Sequence, residues 1–150
     1  MSGLRRLPVD TKPIRPCIRL GLTVLLLASA LAVHAQVPAN YLKSLDAAAR
    51  AAESGFNGFS PQRGQAWFSS RHGTDWSCST CHTVNPLTLG RHATAGRSIA
   101  PLAPAANPER LTDVAKIEKW FKRNCGDVLG RACTPVEKGD VVAYLTSLKR

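Results

Sequence analysis

The fold of this sequence is decided by the stretch Cys78–His82, which has the sequence CSTCH. The spacing C-x-x-C-H is the covalent attachment signature of c-type haem. Two thiols separated by two residues can add to the two vinyl groups of one porphyrin, which places the adjacent histidine below the iron as its proximal ligand. We therefore predict one covalently bound haem c, attached to Cys78 and Cys81 and ligated by His82.

Two other sites built on paired cysteines fit the sequence less well. A thioredoxin-like pair expects a βαβ unit, and no segment has the alternating pattern of a strand. A zinc site would need a second pair, but Cys125 and Cys133 lie too far apart for a usual zinc knuckle. If one ring nitrogen of His82 ligates the haem iron, the other should donate a hydrogen bond to a backbone carbonyl. The carbonyls of Pro86 and Pro101 are the candidates.

The N-terminus has the pattern of an export signal. Residues 1–35 contain five basic side chains, the apolar run Leu20–Ala32 and the small-residue cleavage site Val33–Ala35. Removal of this segment leaves 115 of the 150 residues and lowers the net charge from +10 to +6. We expect a periplasmic bacterial protein with no membrane span after cleavage and no affinity for nucleic acid. A cytosolic enzyme and a dinucleotide-binding domain are excluded.

Helical periodicity predicts an all-α domain of three or four short helices around the haem, which is a class I-like cytochrome c fold. Residues 36–59 should form an N-terminal helical extension and a hinge, and residues 60–150 the cytochrome c domain. The predicted helices cover Pro38–Ser54, Pro61 to about His72, the residues after Thr112 to about Asn124, and Pro135 to Leu148. Ser60 and Thr112 are the expected N-caps of the second and third helices, and Thr134 and Glu137 should form a capping box at the start of the last one. The 29 residues Thr83–Leu111 contain four prolines and should form a long loop over the ligand.

The motif does not identify the sixth iron ligand. Methionine is excluded because Met1, the only methionine, lies in the predicted signal. The candidates are His72, His92, Asn124, a lysine, or no ligand. Asn124 lies on the apolar face of an amphipathic helix, where an amide without a partner costs about 1–3 kcal/mol. It could instead bond a nearby backbone group or cap the helix before Gly126, so the residues alone leave the choice open.

Residues 64–148 resemble the SHP-type c-type cytochromes, the sphaeroides haem proteins, in which an asparagine is the sixth ligand. Besides the haem motif, the matching features are IAPLAP at Ile99–Pro104, NPER at Asn107–Arg110, KWFKRNC at Lys119–Cys125 and CTPVEKGD at Cys133–Asp140. In that family the ligand directly precedes a disulfide cysteine. The resemblance therefore implies Asn124 as the distal ligand and a disulfide between Cys125 and Cys133, the only cysteines after residue 35 outside the motif.

The expected function combines electron transfer with gas binding. The resemblance implies that the reduced haem binds oxygen or nitric oxide and that a dihaem cytochrome c delivers electrons. A simple shuttle with His92 as permanent ligand and a small-molecule haem redox enzyme are the alternatives, although no catalytic acid or base is identifiable beside the iron.

Basic residues indicate further contacts. The helix before Gly126 carries the cluster Lys116, Lys119, Lys122 and Arg123, which is either a solvated face or a patch that steers an acidic redox partner. Arg91 and Arg97 are candidate partners of the haem propionates.

Overall fold

The computed structural model describes residues 19–73 and 75–150, with the backbone alone for residues 19–35. The elements in chain order are α1 (Arg19–Ala52), α2 (Pro61–Ser69), α3 (Cys78–His82), β1 (Gly90–Arg91), β2 (Ser98–Ile99), α4 (Val114–Leu129) and α5 (Pro135–Ser147). This helical architecture confirms the all-α prediction. The first part of the predicted export signal, residues 1–18, lies outside the described residues. Among the described helices, none is long and apolar enough to cross a membrane.

The long predicted loop contains one feature that the sequence did not indicate, a small antiparallel hairpin. Gly90 pairs with Ile99 and Arg91 with Ser98. Strands of two residues are too short to show alternation, so the hairpin leaves no periodic signal. The hairpin packs closely against α3. A Cβ at Gly90 would collide with the Cys81 carbonyl.

The starts of α2 and α5 agree with the predicted capping signals. Ser60 Oγ accepts the backbone N–H of Arg63 at 3.2 Å. Thr134 Oγ1 accepts the Glu137 N–H at 3.2 Å, and Glu137 Oε2 accepts the Thr134 N–H at 2.7 Å, which completes a capping box. However, α2 ends at Ser69, before the predicted end near His72.

The ends of α4 differ from the prediction. Its N-cap is Asp113 rather than the preceding threonine, and the helix continues through the expected stop at Gly126. A glycine inside a helix costs only about 1 kcal/mol, which packing of the last turn offsets. The helix ends instead at Gly130, whose φ of 68° suits a left-handed C-cap. As a result Asn124 lies inside the helix and does not cap it.

The predicted helix Pro38–Ser54 is the second half of a longer helix, since α1 continues through the buried Pro38. Tyr41 is only 2% exposed and packs with Ile117 and Val142. Phe56, in the predicted hinge, is also buried and packs with residues of α1 and α5. The N-terminal extension therefore shares a core with the helices that follow it.

Helices α2 and α5 form the close contact behind the cofactor site. A Cβ at Gly64 would collide with the carbonyl of Asp140, so only glycine allows this approach. The carboxylate of Asp140 is buried and accepts Arg63 Nε at 2.7 Å, Arg63 Nη2 at 2.8 Å and the Ser60 N–H at 2.7 Å. Phe68 and Tyr144 lie beside this contact, with ring centroids 5.7 Å apart.

A hydrogen-bonded chain ties α1 to α4 and α5. Tyr41 Oη donates to Glu118 Oε1 at 2.6 Å, and Lys138 Nζ donates to Glu118 Oε2 at 2.6 Å. Burial raises the pKa of Glu118, but the two donors and the lysine charge outweigh this effect and hold the pKa below its usual value.

We expect Tyr41→Phe to lower the free energy of unfolding by about 1–3 kcal/mol, because a hydrogen bond to a carboxylate is lost without leaving a cavity. Urea unfolding of the holoprotein measures the change. A lowered carboxyl pKa stabilises the fold only while the group is ionised, so the difference should shrink as the pH falls through the pKa of Glu118.

The matched control is Tyr144→Phe. Tyr144 is 4% exposed, and its hydroxyl makes no hydrogen bond with any residue that the structure describes. Equal losses of stability in the two variants would contradict the proposed role of the Tyr41 hydroxyl.

Candidate cofactor site

Helix α3 presents the haem motif on a single capped turn. Ser77 Oγ accepts the Thr80 N–H at 3.2 Å, and the Ser77 N–H donates to Thr80 Oγ1 at 2.9 Å. This reciprocal cap holds the first turn although the helix has only five residues. Cys78 and Cys81 lie on this turn as half-buried thiols that are not joined in a disulfide.

The structure places the four predicted cofactor residues around one cavity. Its volume is about 330 Å³, and its wall includes Cys78, Cys81, His82 and Asn124. Most of the remaining wall is apolar or aromatic and includes Trp67, Phe68, Ile99, Leu102, Ile117 and Phe121. A pocket of this kind, with a few converging ligand groups, suits a largely apolar cofactor such as haem.

Burial controls the protonation of the motif. Burial raises the pKa of the Cys78 thiol to about 11. Burial, and secondly the positive charge of Arg110, lowers the pKa of His82 to about 4. The imidazole is therefore neutral at neutral pH, which is the form that ligates a metal.

The carbonyl partner predicted for His82 is not confirmed. Within the described residues the His82 ring makes no hydrogen bond. The Pro86 carbonyl accepts the N–H groups of Leu102 and Ala103, at 2.9 and 3.1 Å. The Pro101 carbonyl accepts side-chain donors of Asn107 and Arg110.

Asn124 faces the cavity from the middle of α4. It shares the cavity-facing stripe of the helix with Ile117, Phe121 and Val128, at helical spacing. Its side chain is half-buried and makes no hydrogen bond with any described residue. The two alternative roles left open by the sequence, a bond to a nearby backbone group and a C-terminal cap, are both absent from the structure. The amide is left available to a ligand in the cavity.

Of the two histidine candidates, His72 lies outside the cavity wall and His92 is part of it. The Nε2 of His72 bonds the Trp67 carbonyl at 2.7 Å, and its ring stacks on Trp67. His92 belongs to the hairpin that packs on α3. Its Nδ1 accepts the Ala95 N–H at 3.2 Å and contacts Thr94 Oγ1 at 3.2 Å.

Cys125 and Cys133 join the end of α4 to the start of α5. Their Cα atoms are 5.6 Å apart and their sulfur atoms are within bonding distance. Both side chains are buried. A bond between them would hold the residue next to Asn124.

Of the arginines that lie at or near the cavity, the sequence suggested two as propionate partners. Arg97 lines the cavity but is exposed, and Arg91 lies outside the wall. Arg110 is half-buried in the wall, and sequence analysis gave it no role. In the sequence Arg110 stands out only as part of the NPER motif. Its burial in the cavity wall comes from the fold and has no signal in the sequence.

Comparison with known proteins agrees with this geometry. Residues 54–145 match the family model described as a domain of unknown function, DUF1924. Cytochrome c-type protein SHP of Cereibacter sphaeroides is 52% identical over 71 residues, which cover 47% of this chain and 54% of that protein. The structure of oxidised SHP, an oxygen-binding cytochrome c, is 40% identical, has a TM-score of 0.65, and is matched over 96% of its chain and 74% of this one. The chain belongs to the SHP-type c-type cytochromes and to the DUF1924 family.

The second relative is cytochrome c'' of Methylophilus methylotrophus. It is 42% identical over 78 residues, which are 52% of this chain and 54% of that protein, so the sequence matches span about half the length of both curated relatives. The crystal structure of oxidised cytochrome c'' has a TM-score of 0.67 at 31% identity and covers 79% of this chain and 97% of its own. The matched 79% of this chain contains more residues than the stretch from residue 54 to residue 150, so the structural match extends into α1.

Membership of the family establishes the cofactor as covalently attached haem c. The donor set fits this cofactor, since two thiols, a neutral imidazole and an unpaired amide surround one apolar cavity. The similarity to the SHP-type cytochromes, predicted from Asn124, Cys125 and the C-x-x-C-H motif, is thereby confirmed.

Proposed function

We propose that this protein is a periplasmic monohaem cytochrome that transfers electrons and binds oxygen or nitric oxide in its reduced state. The observation that carries the proposal is the unpaired amide of Asn124 in the wall of a cavity that also contains the haem motif. Support also comes from the similarity to SHP, which is described as an oxygen-binding cytochrome c. The export pattern of residues 1–35 supports the periplasmic location.

Cys78 and Cys81 would hold the haem through thioether bonds, and His82 would ligate its iron. The bound cofactor supplies a one-electron iron centre with an exchangeable sixth position. The capped turn of α3 holds the three groups at the required spacing. The apolar side chains around them exclude water from the cofactor.

Asn124 acts as the gate of the sixth position. An amide is a weak, neutral ligand, and ferrous iron binds hard oxygen or amide donors less well than ferric iron does. Asn124 would therefore bind the iron of the oxidised protein and release it on reduction. In the reduced protein the amide would be available to donate a hydrogen bond to a bound gas. A solution structure of cytochrome c'', 30% identical to this chain, addresses haem-ligand detachment in that protein, which supports a detachable ligand here.

A shuttle with His92 as permanent ligand is less well supported. The turn of the hairpin holds His92 through its Nδ1, and the hairpin packs on α3, which carries the proximal ligand. Asn124 lies on a different element, α4, and its side chain makes no hydrogen bond with any of the described residues. We propose no catalytic residue.

The electron partner is expected at the basic face of α4. Lys116, Lys119, Lys122 and Arg123 are all exposed. Trp120 is 46% exposed beside them, and the Arg123 guanidinium lies 5.8 Å from its ring centroid. This surface favours an acidic redox protein, for which a dihaem cytochrome c is the candidate implied by the family.

Absorption spectra test the proposal directly. The oxidised protein should be six-coordinate, and the reduced protein five-coordinate, high-spin and quick to bind carbon monoxide. A reduced protein that is low-spin and insensitive to carbon monoxide would refute the gate.

Cys125 and Cys133 are predicted to form a disulfide that stabilises the α4–α5 connection. A bridge that closes a loop of separation 8 is worth about 2–3 kcal/mol in the chain-entropy account. The double variant Cys125→Ala/Cys133→Ala should lose this stability in urea unfolding. Peptide mapping of the wild-type protein without reductant should recover the linked pair. Two thiols that react with Ellman's reagent in the native protein would show that the bond is absent.

A further inference from the structure

One cation in the cavity wall, Arg110, is half-buried and has no role in the proposed function. Among the described residues, the Lys and Arg side chains that line the cavity are Arg97, Arg110, Lys116 and Arg123. Arg110 is half-buried, whereas the other three are exposed. Burial lowers the pKa of Arg110, because the charged guanidinium has lost part of its water.

The Arg110 guanidinium is anchored by carbonyls but not neutralised. Its Nε donates to the Pro101 carbonyl at 3.1 Å, and its Nη2 donates to the Ala100 carbonyl at 3.0 Å. In the part of the chain that the structure describes, no carboxylate forms an ion pair with it. The nearby Asp113 is used as the N-cap of α4.

A partly desolvated cation is stabilised by a counterion. Apart from the two N–H groups that donate to carbonyls, the N–H groups of this guanidinium have no partner among the described residues. The two N–H groups of Nη1 and the second N–H of Nη2 form the planar fork that binds a carboxylate through two hydrogen bonds. Arg110 lines the same cavity as His82, the predicted proximal ligand. Glu109, Asp113 and Asp127 also line the cavity, but none of them forms an ion pair with Arg110. A haem propionate is a carboxylate that would enter this cavity with the cofactor.

We infer that Arg110 pairs with a propionate carboxylate of haem c and positions the cofactor in the cavity. The inference rests on the proposed haem attachment. It replaces Arg91 and Arg97 as the expected propionate partners, because Arg91 lies outside the wall and Arg97 is exposed without carbonyl anchors. The carbonyls of Ala100 and Pro101 hold the guanidinium in place, so it is preorganised for the carboxylate.

Infrared spectroscopy of the holoprotein with ¹³C-labelled propionates tests this pairing. Arg110→Gln should shift a labelled carboxylate band, and Arg97→Gln, the matched control, should leave the bands unchanged. Loss of a positive charge near the iron should also lower the ferrous-to-ferric ratio at a fixed applied potential by about tenfold. Arg110→Lys keeps the charge but not the fork, so it should shift the band while the ratio changes by less than about threefold.

Unchanged carboxylate bands in covalently loaded Arg110→Gln and Arg110→Lys protein would overturn the inference. This would hold even if the variants were less stable, because an arginine that only supports the loop would alter stability and leave the bands alone. The intact mass of the same samples reports haem attachment. A failure of the proposed function would therefore appear as a missing haem mass, separately from the band positions.

Discussion

Replacement of Asn124 by histidine is expected to convert the reduced protein from five-coordinate high-spin to six-coordinate low-spin. Imidazole is a stronger ligand than an amide and should hold both oxidation states. Carbon monoxide then competes with an occupied position, so its apparent affinity should fall about 100-fold. Optical spectra and a carbon monoxide titration of the reduced holoprotein measure both effects.

Two further variants distinguish ligation by Asn124 from ligation by His92. Asn124→Ala should admit water in the oxidised protein and leave the reduced protein open to carbon monoxide. His92→Ala should change neither spectrum if Asn124 is the ligand. A spectrum that changes with His92→Ala and is insensitive to both Asn124 variants would establish histidine ligation instead.

Substitution of both motif cysteines by serine should abolish covalent haem attachment. Serine has no thiolate to add to a vinyl group, so Cys78→Ser/Cys81→Ser should lack the haem increment in its intact mass. Acid–acetone extraction should remove all colour from any haem that remains bound. The same extraction should leave the wild-type protein coloured.

The control for this experiment is Cys125→Ser/Cys133→Ser. It also removes two cysteines, but these lie outside the motif, and their sulfur atoms are within bonding distance of each other. It should keep its covalent haem and lose only stability. Release of colour from the wild-type protein in acid–acetone would show that the thioether assignment is wrong.

Several features were predictable because they depend on residues within a turn or two of each other. The haem motif needs only the spacing of Cys78, Cys81 and His82. The capping box at Thr134 and Glu137 likewise follows from local sequence and is present in the structure. Such patterns specify the conformation of a short segment without reference to the rest of the chain.

Other features could not be predicted because long-range packing outweighs a local signal. Gly126 looked like a helix end, but α4 continues to a C-cap at Gly130. The hairpin at Gly90 has no strand pattern, and it forms where only a glycine allows close approach to Cys81. In each case the local preference amounts to about 1 kcal/mol, and tertiary contacts exceed it.

The cofactor, the helical class and the family could be predicted from motifs and periodicity carried by the chain. The folded structure was needed to show that the Asn124 amide faces the cavity, that Arg110 is half-buried in its wall, and that Tyr41 ties α1 to Glu118. Among the described residues, the amide has no hydrogen-bond partner and the guanidinium has no counterion. The physical reason is that the chemical meaning of an amide, a guanidinium or a phenol depends on its burial and its partners. Those partners come from distant parts of the chain and are set by how the helices pack.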